Sequence, residues 1–366
     1  MKSNYEPLGK HIRLVDYRNS EEITSTVLGI SIDKEFMSSV ANVIGTDLSR
    51  YKLIRKGLFA CNPMHVGRDE RLPIALYEED SPAIVSPAYF MFEIIDRNVL
   101  NEEYLMMWFR RPEFDRECWF MTDGSVRGGI TWDDLCRIKL PVPSYAGQCE
   151  IVESYRAITD RIALKRAEND NLAEYLNCIY VELAKSVQET VPLSEVCGYV
   201  TDKSVFSEIE TAVYISTENI LPDKQGISSY GSTSASERVI HFREEDVLVS
   251  NIRPYFKKMW FATTEGGCNA DVLCFRASDK KYSYLLKSIL FQDGFFDYVM
   301  SGAKGTKMPR GDKNHIMQYR IPCFSDQQLH KFNALARSIE QNQALNRQEM
   351  ASLETAKGML LTTLSR

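Results

Sequence analysis

Apolar residues recur at alternating steps of four and three over residues 148–187, in the middle of the chain. The series comprises Ile151, Tyr155, Ile158, Ile162, Leu172, Leu176, Ile179 and Leu183. This heptad spacing is typical of a helix that packs along its length against a partner helix. Because an α-helix rises about 1.5 Å per residue, the segment would be roughly 60 Å long. The pattern therefore predicts a long coiled-coil helix.

A second heptad segment ends the sequence. Its apolar series comprises Phe332, Ala336, Ile339, Leu353, Leu360 and Leu364. Its middle is polar, with Gln343 and Asn346, and the middle of the first segment is polar as well, with Lys165 and Asn169. A shift of 181 residues superposes the two series. We therefore predict a tandem duplication in which each half is a globular region followed by a long helix.

The globular region of the first half mixes strand and helix patterns. Short β-rich runs occur at residues 84–85 and 89–95, and a helical pattern covers residues 102–109. Pro141 and Pro143 then interrupt any regular element before the long helix begins. The composition of this region favours an α+β domain.

The second half repeats this order. An apolar strand pattern at residues 246–250 ends in Asn251, as the pattern at residues 58–61 ends in Asn62. A helical stretch at residues 284–290, a Gly305-Thr306 loop and Pro322 follow, and the first half has Gly124-Ser125 in the corresponding loop.

These patterns define an α+β fold class with two tandem domains, at residues 1–145 and 188–324. Two long antiparallel coiled-coil helices, at residues 146–187 and 325–366, separate the domains with pseudo-two-fold symmetry. The expected packing puts the domains at opposite ends of the helix pair. Two ordinary bundle helices are the alternative, and the polar middle residues could set the helix register or form a docking surface.

Composition restricts the class of protein. The chain has 366 residues, 44% of them hydrophobic, and a formal net charge of −6, which counts against a simple polycationic nucleic-acid binder. Nine scattered cysteines without CxxC spacing indicate neither a zinc site nor a disulfide framework. The sequence has no apolar signal region near Met1 and no apolar run long enough to span a membrane. We expect a soluble cytoplasmic protein with reduced thiols.

Several short stretches of the sequence are basic although the net charge of the whole chain is negative. Residues 50–71 hold six basic and two acidic side chains, residues 251–258 hold three basic and no acidic ones, and residues 301–313 hold four basic and one acidic. Two of these stretches follow the equivalent strand in each half. A solvated surface explains any single basic loop, but recurrence in both halves favours DNA binding, with cations near phosphates and Arg or Asn at base edges.

Catalytic motifs are not evident in the sequence. There is no GxG loop for a nucleotide cofactor, and neither residues 62–65 nor residues 251–255 form the Asn/Asp-Pro-Pro-aromatic loop of an amino-methyltransferase. Five dispersed histidines lack metal-ligand spacing. His65 is the one histidine in a candidate loop, and a turn residue is its simpler interpretation. Ser250 lacks a nucleophile elbow.

The chain resembles the specificity (S) subunits of type I restriction-modification systems over essentially its whole length. The resemblance lies in residues 61–68 (CNPMHVGR), 85–92 (VSPAYFMF), 246–250 (DVLVS), 251–258 (NIRPYFKK), 266–272 (GGCNADV) and 307–310 (KMPR). The helix entries at residues 143–148 and 322–327 are also similar to those of the family. The resemblance implies two target-recognition domains, each reading half of a split double-stranded DNA site, with a spacer helix after each.

The resemblance also implies the partners and the division of chemistry. Methyltransferase (M) subunits would dock on the spacer helices, and the restriction (R) subunit would join through the complex. The chain itself would be non-catalytic and bind no cofactor or metal directly, while its partners use S-adenosylmethionine, ATP and Mg. The residues predicted to contact DNA are Asn62, His65, Arg68, Arg127, Asn251, Arg253, Tyr255, Lys257, Lys258, Lys304, Lys307 and Arg310.

Three alternatives remain at this point. The chain could belong to a combined restriction-methylation enzyme that cuts on both sides of its site. It could be a fused tail of a lone methyltransferase or nuclease, which would leave its catalytic domain missing. It could also be a coiled-coil scaffold, which would leave the paired basic loops unexplained.

Overall fold

The computed structural model describes residues 5–39, 45–64, 66–122, 128–209, 211, 213–231 and 237–364. The chain divides into two compact units. Unit 1 combines Met1–Lys165 with Gln348–Arg366, and unit 2 is Arg166–Arg347. Each unit therefore contains a mixed α/β domain and a stretch of both long helices.

Unit 1 has short strands and four helices before the first long helix. The strands are β1 (Tyr5–Pro7), β2 (Ile12–Leu14), β3 (Val27–Ile30), β4 (Phe36–Ser38), β5 (Lys52–Ile54), β6 (Phe59–Cys61), β7 (Ile74–Leu76), β8 (Ala83–Val85), β9 (Phe90–Ile94) and β10 (Lys139–Pro141). The helices are α1 (Val66–Asp69), α2 (Glu102–Phe109), α3 (Pro112–Phe120), α4 (Trp132–Arg137) and the long α5 (Tyr145–Lys185).

Two four-stranded sheets form the domain of unit 1. One has the order β2-β9-β6-β7 and is antiparallel, and the other has the order β4-β3-β8-β5 with β3 parallel to β8. Side chains of β6 alternate between two cores. Phe59 and Cys61 pack against α2 and α3, whereas Ala60 lies in a smaller core with residues of the second sheet. Burial on both faces explains why this strand reads as an unbroken apolar run.

Unit 2 continues with a second set of elements in a similar order, with a 3₁₀ turn (Pro254–Phe256) where unit 1 has α1. Its strands are β11 (Thr190–Pro192), β12 (Cys197–Tyr199), β13 (Lys203–Val205), β14 (Tyr214–Ile215), β15 (Arg238–Phe242), β16 (Val247–Ser250), β17 (Met259–Phe261), β18 (Gly266–Cys268), β19 (Val272–Ala277) and β20 (Arg320–Pro322). Its helices are α6 (Ser283–Leu290), α7 (Asp293–Ser301), α8 (Lys313–Met317) and the start of the long α9 (Asp326–Thr363).

The sheets of unit 2 repeat those of unit 1. The order β12-β19-β16-β17 matches β2-β9-β6-β7 strand for strand, and β14 is parallel to β18 as β3 is to β8. One difference concerns the outer strand of the other sheet: β13 pairs with β15, whereas β4 pairs with β3. The helices α6, α7, α8 and α9 and the strand β20 each begin 181 residues after their counterparts. The predicted duplication is confirmed.

In unit 1 the beginning of α5 packs against the end of α9. Val152 and Tyr155 share the main core of the unit with Leu361 and Leu364. Further along α5, Arg161 Nε donates to Glu349 Oε1 at 2.6 Å. Because residue numbers rise along one helix as they fall along the other, the two segments are antiparallel.

The same pairing occurs in unit 2 between the end of α5 and the beginning of α9. Leu176 and Tyr180 lie in one core with Phe332 and Ile339. At the polar middle, Gln343 Nε2 donates to the Asn169 carbonyl oxygen at 2.8 Å, and Asn346 Nδ2 donates to Asn169 Oδ1 at 2.9 Å. These side chains therefore bond across the seam, as expected for residues that set helix register.

Most of the predicted elements are present. The helical pattern at residues 102–109 is α2, the pattern at residues 246–250 is β16, and every seam position named from the heptads is at least partly buried. The domain limits drawn from the sequence stay a prediction. Among the described residues, no helix is both long and apolar enough to cross a membrane.

Candidate nucleic-acid interface

The loop that follows β16 is held tightly at both ends. Asn251 N donates to the Asp271 carbonyl at 2.8 Å, and Ser250 N donates to the Lys258 carbonyl at 3.0 Å. Between them, a single 3₁₀ turn covers Pro254–Phe256. The residues on either side of this turn, Arg253 and Lys257, have φ of 51° and 50°, a left-handed conformation that is costly for a residue with a Cβ.

A second loop joins the first. Lys304 and Arg310 exchange two backbone hydrogen bonds of 2.9 Å, which close a short hairpin around Gly305, with φ of 98°. Arg253 N then donates to the Pro309 carbonyl at 2.8 Å. The basic stretches at residues 251–258 and 301–313 therefore form one continuous surface, which we call the unit 2 interface.

A third loop supports the same surface from its other side. Asp223 N donates to the Phe256 carbonyl and Lys224 N to the Lys257 carbonyl, both at 2.9 Å. Asp223 and Lys224 are left-handed too, with φ of 53° and 62°. Strain of this kind persists only where the surrounding contacts impose it, and it is common at binding sites.

Two of the predicted DNA-contacting lysines are engaged at the edge of this surface. Lys257 and Lys224 both contact Asp293 Oδ1, at 2.9 and 2.8 Å. Hydrogen bonds from Lys224 and Lys257 lower the pKa of the Asp293 carboxyl. Lys258 Nζ donates to the Thr217 carbonyl at 2.8 Å. The cations are thereby held in fixed positions, and Lys224 and Asp293 were not predicted from the sequence.

The hairpin carries the other cations. Lys304 Nζ lies 2.6 Å from Asp312 Oδ2, and Arg310 Nη2 lies 2.9 Å from Asp271 Oδ1. Lys307 is exposed, and no acidic partner contacts it within the described part of the chain. Exposed ion pairs contribute about 0–1 kcal/mol, so a phosphate can replace such a carboxylate at little cost.

Three buried polar atoms at these loops have no hydrogen-bond partner among the described residues. They are Asn251 Oδ1, Arg253 Nε and Asn269 Oδ1. A buried polar atom without a partner is costly in a folded protein, typically about 1–3 kcal/mol. Asn269 lies in the 266–272 motif, but nothing in that motif singled it out as a site residue.

The equivalent loop of unit 1 follows β6. Asn62 Oδ1 accepts from Met64 N at 3.1 Å, and the Pro63 carbonyl accepts from Ile130 N at 3.1 Å. Gly67 N donates to the Gly128 carbonyl at 3.0 Å, so this loop too is bonded to the segment before the last short helix.

Of the other residues of unit 1 that were predicted to contact DNA, the structure describes only Arg68. Arg68 is exposed and pairs with the adjacent Asp69, with Nε 2.7 Å from Oδ1. His65 and Arg127, and the Gly124-Ser125 loop, lie outside the described residues.

A solved S subunit of a type I restriction-modification system, from M. genitalium, has the same architecture. It is 11% identical, its TM-score is 0.56, and the match covers 99% of this chain and 96% of that one. The chain has the fold of a type I S subunit. No protein-family model and no curated protein matches the sequence.

Two other solved chains match over similar lengths. The HsdS subunit from Thermoanaerobacter tengcongensis is 17% identical with a TM-score of 0.38, covering 99% of this chain and 96% of that chain. A chain solved in work on the complex assembly and conformational transition of the type I R-M system is 16% identical with a TM-score of 0.48, covering 99% and 97%.

This S-subunit fold holds no cluster of metal-ligating side chains within the described residues. Its buried thiols are poor nucleophiles, because burial raises the pKa of Cys197 and of Cys268 to about 12. The groups that the interface presents are hydrogen-bonding and cationic side chains.

Proposed function

We propose that the chain is the DNA-recognition subunit of a type I restriction-modification complex, in which each domain reads one half of a split DNA site. The unit 2 interface carries this proposal: the bond from Arg253 N to the Pro309 carbonyl unites two basic stretches beside unpartnered amide and guanidinium atoms. Arg and Asn are the side chains best suited to guanine and adenine edges in the major groove. The S-subunit fold supports the same function.

The charges of the interface suit phosphate contact. Lys304, Lys307 and Arg310 are exposed on one hairpin, where they can position a DNA backbone. Their local positive charge is offset by the net charge of −6 of the whole chain. The isolated chain therefore binds DNA weakly, and the methyltransferase subunit supplies further contacts.

The long helices offer a docking surface for the methyltransferase subunits. Leu164 and Leu345 are the most exposed leucines on α5 and α9, and they occupy equivalent positions 181 residues apart. Exposed apolar residues at equivalent positions of a duplicated chain suit two copies of one partner. The restriction subunit joins through the assembled complex.

The chain itself performs no covalent step in this proposal. S-adenosylmethionine serves the methyltransferase subunit, and ATP and Mg serve the restriction subunit. The recognition domains bind and orient the DNA so that the target adenine reaches the methyltransferase.

Methylome sequencing tests the proposal in cells that lack other methyltransferases. Cells that carry the chain and its methyltransferase partner should show adenine methylation at a split sequence with a fixed gap. Cells that carry the partner alone should not. Methylation that persists without the chain, or that falls on a continuous sequence, would overturn the proposal.

A further inference from the structure

Two aromatic side chains stand out at the tip of the unit 2 interface. Tyr255 is 47% exposed and Phe256 is 40% exposed, although aromatic side chains of this size usually stabilise a fold by becoming buried. Their ring centroids are 4.7 Å apart at an interplanar angle of 54°. Both rings belong to a loop that also holds Arg253 and Lys258, so a hydrophobic tip lies among cations.

The turn beneath these rings is fixed. Phe256 N donates to the Arg253 carbonyl at 3.0 Å, and Lys257 N donates to the Pro254 carbonyl at 2.8 Å. Pro254 is buried, and the left-handed residues on both sides of the turn have an unfavourable backbone conformation. The chain thus maintains a strained turn that presents two rings to solvent, which is the kind of outlier from which function can be inferred.

Unit 1 also presents an exposed apolar residue on the loop that follows its equivalent strand. Met64 is 50% exposed on the loop that follows β6, as Tyr255 and Phe256 are on the loop that follows β16. Its backbone is held by Asn62 Oδ1 and by the neighbouring Pro63, whose carbonyl is bonded to Ile130. Two domains with little sequence in common at this loop therefore share an exposed apolar tip.

We propose that Tyr255 and Phe256 form a wedge that inserts between neighbouring base pairs of the second half-site, and that Met64 does the same in the first. Apolar side chains inserted between base steps unstack and kink a duplex. The proposal rests on the DNA-recognition function and adds a mechanical role to it: an unstacked step lowers the cost of turning the target adenine out of the helix.

The flanking charges suit this geometry. Arg253 and Lys258 belong to the loop of the rings, and Lys307 lies on the hairpin that Arg253 joins through its backbone. Cations on both loops can hold the phosphates while the apolar tip replaces base stacking. A wedge on a strained, hydrogen-bonded turn loses little conformational entropy when it inserts.

The test uses the complex of the full chain with its methyltransferase partner and the split site found by methylome sequencing. Duplexes carry 2-aminopurine, an adenine analogue, in turn at each adenine of either strand of the second half-site and its flanks other than the target adenine, because the fluorescence of this base rises when it is unstacked. We expect a several-fold rise at one step. Tyr255→Ala/Phe256→Ala should abolish the rise and weaken binding about tenfold, whereas Phe256→Leu should retain most of the rise.

Two control variants test whether the fluorescence change is specific to the two rings. Tyr230→Ala removes another exposed tyrosine of unit 2 and should leave the signal unchanged, and Met64→Ala should affect the first half-site only.

If no split site is found, the proposed function itself fails. If a split site is found but no second half-site position brightens, or the rise survives in the double alanine variant, the wedge is wrong and the recognition function stands.

Discussion

Lys307 differs from its neighbours because the described residues offer it no carboxylate, whereas Lys304 and Arg310 are held by Asp312 and Asp271. Arg253 differs in another way, since its Nε is buried and unpartnered. The two residues therefore suit different tasks. We expect the exposed lysine to bind phosphates, and the arginine, whose backbone is held by Pro309, to read one base.

Arg253→Ala and Lys307→Ala should separate these tasks. Loss of a bidentate contact to guanine costs about 1–3 kcal/mol of discrimination, so Arg253→Ala should relax one base of the second half-site. Lys307→Ala should weaken binding to all sequences alike and reduce the salt slope by about 1. Methylome sequencing and binding at several salt concentrations measure the two effects. A change in the first half-site with Arg253→Ala would contradict the separate roles of the domains.

Asp312 should give the interface a response to acid. Lys304 lowers the pKa of this carboxyl from 3.8 to about 2, and the backbone N–H of His315 adds to the effect. A lowered pKa means that the ionised group stabilises the fold above pH about 4, and that this contribution disappears as the pH falls through about 2.

Asp312→Asn tests this response. The amide can still accept the N-cap bonds of α8, but it neither titrates nor pairs with Lys304. Its melting temperature should fall less than that of the wild type between pH 4 and pH 2. At neutral pH the freed lysine should strengthen non-specific DNA binding, and Glu182→Gln, at the exposed pair with Lys185, should not. Identical acid profiles would show that Asp312 does not carry the effect.

At the scale of elements, polar contacts join the long helices to one another and to the domain. Asn169 bonds both Gln343 and Asn346 across the seam in unit 2. Lys287 of α6 pairs with Glu340 of α9, and both side chains are largely buried. Burial, and then the charge of Arg347, lower the pKa of Lys287 to about 7.

Glu340→Ala should leave the Lys287 charge uncompensated. Removal of one partner of a buried pair typically costs about 3–5 kcal/mol, whereas replacement of both by apolar residues is often neutral. In urea unfolding at neutral pH, we expect Glu340→Ala to have a clearly lower free energy of unfolding than the wild type. The double variant Lys287→Met/Glu340→Leu should have a free energy of unfolding close to that of the wild type. Lys185→Ala, at an exposed pair, should change little.

The Glu340→Ala variant should regain stability in alkaline buffer. Between pH about 7 and 10.5 the unfolded state binds more protons than the folded state, because the pKa of Lys287 is lowered only in the fold. Stability therefore rises with pH over this window. A Glu340→Ala variant whose stability stays constant or falls there would show that the lysine keeps its proton.

At the scale of the whole molecule, two copies of one architecture are joined through shared helices. The limits of the two units fall after Lys165 and after Arg347, within the long helices. We expect these helices to set the gap between the half-sites, and the recognition loops to set the bases.

Insertion of seven residues after Arg166 and seven after Arg347 should lengthen the gap. Seven residues preserve the heptad seam and add about 10 Å of helix. That length equals roughly three base-pair steps of about 3.4 Å each. Methylome sequencing should find the same half-sites farther apart, with some loss of activity because the added DNA rotates one half-site. Unchanged spacing would show that the helices do not set the gap. Altered half-site sequences would show that the helices also influence which bases are read.

The sequence alone determined the long helices, their duplication and the central strands. Heptads and unbroken apolar runs are local patterns, and burial acts on them directly: β16 is apolar because it contacts a core on each face. The S-subunit resemblance also came from local motifs, and the fold agrees with it.

Only the tertiary structure decided how the interface is assembled. The backbone N–H of Arg253 donates to the Pro309 carbonyl, and Lys257 forms an ion pair with Asp293. Both contacts join residues that are far apart in the sequence. Sequence patterns indicate which side chains are basic, but they do not indicate which distant carboxylates will pair with them. The exposed rings of Tyr255 and Phe256 depend in the same way on a left-handed backbone that contacts from two other loops impose. Periodic burial is encoded locally, whereas the partner of a polar group depends on which segments the fold brings together.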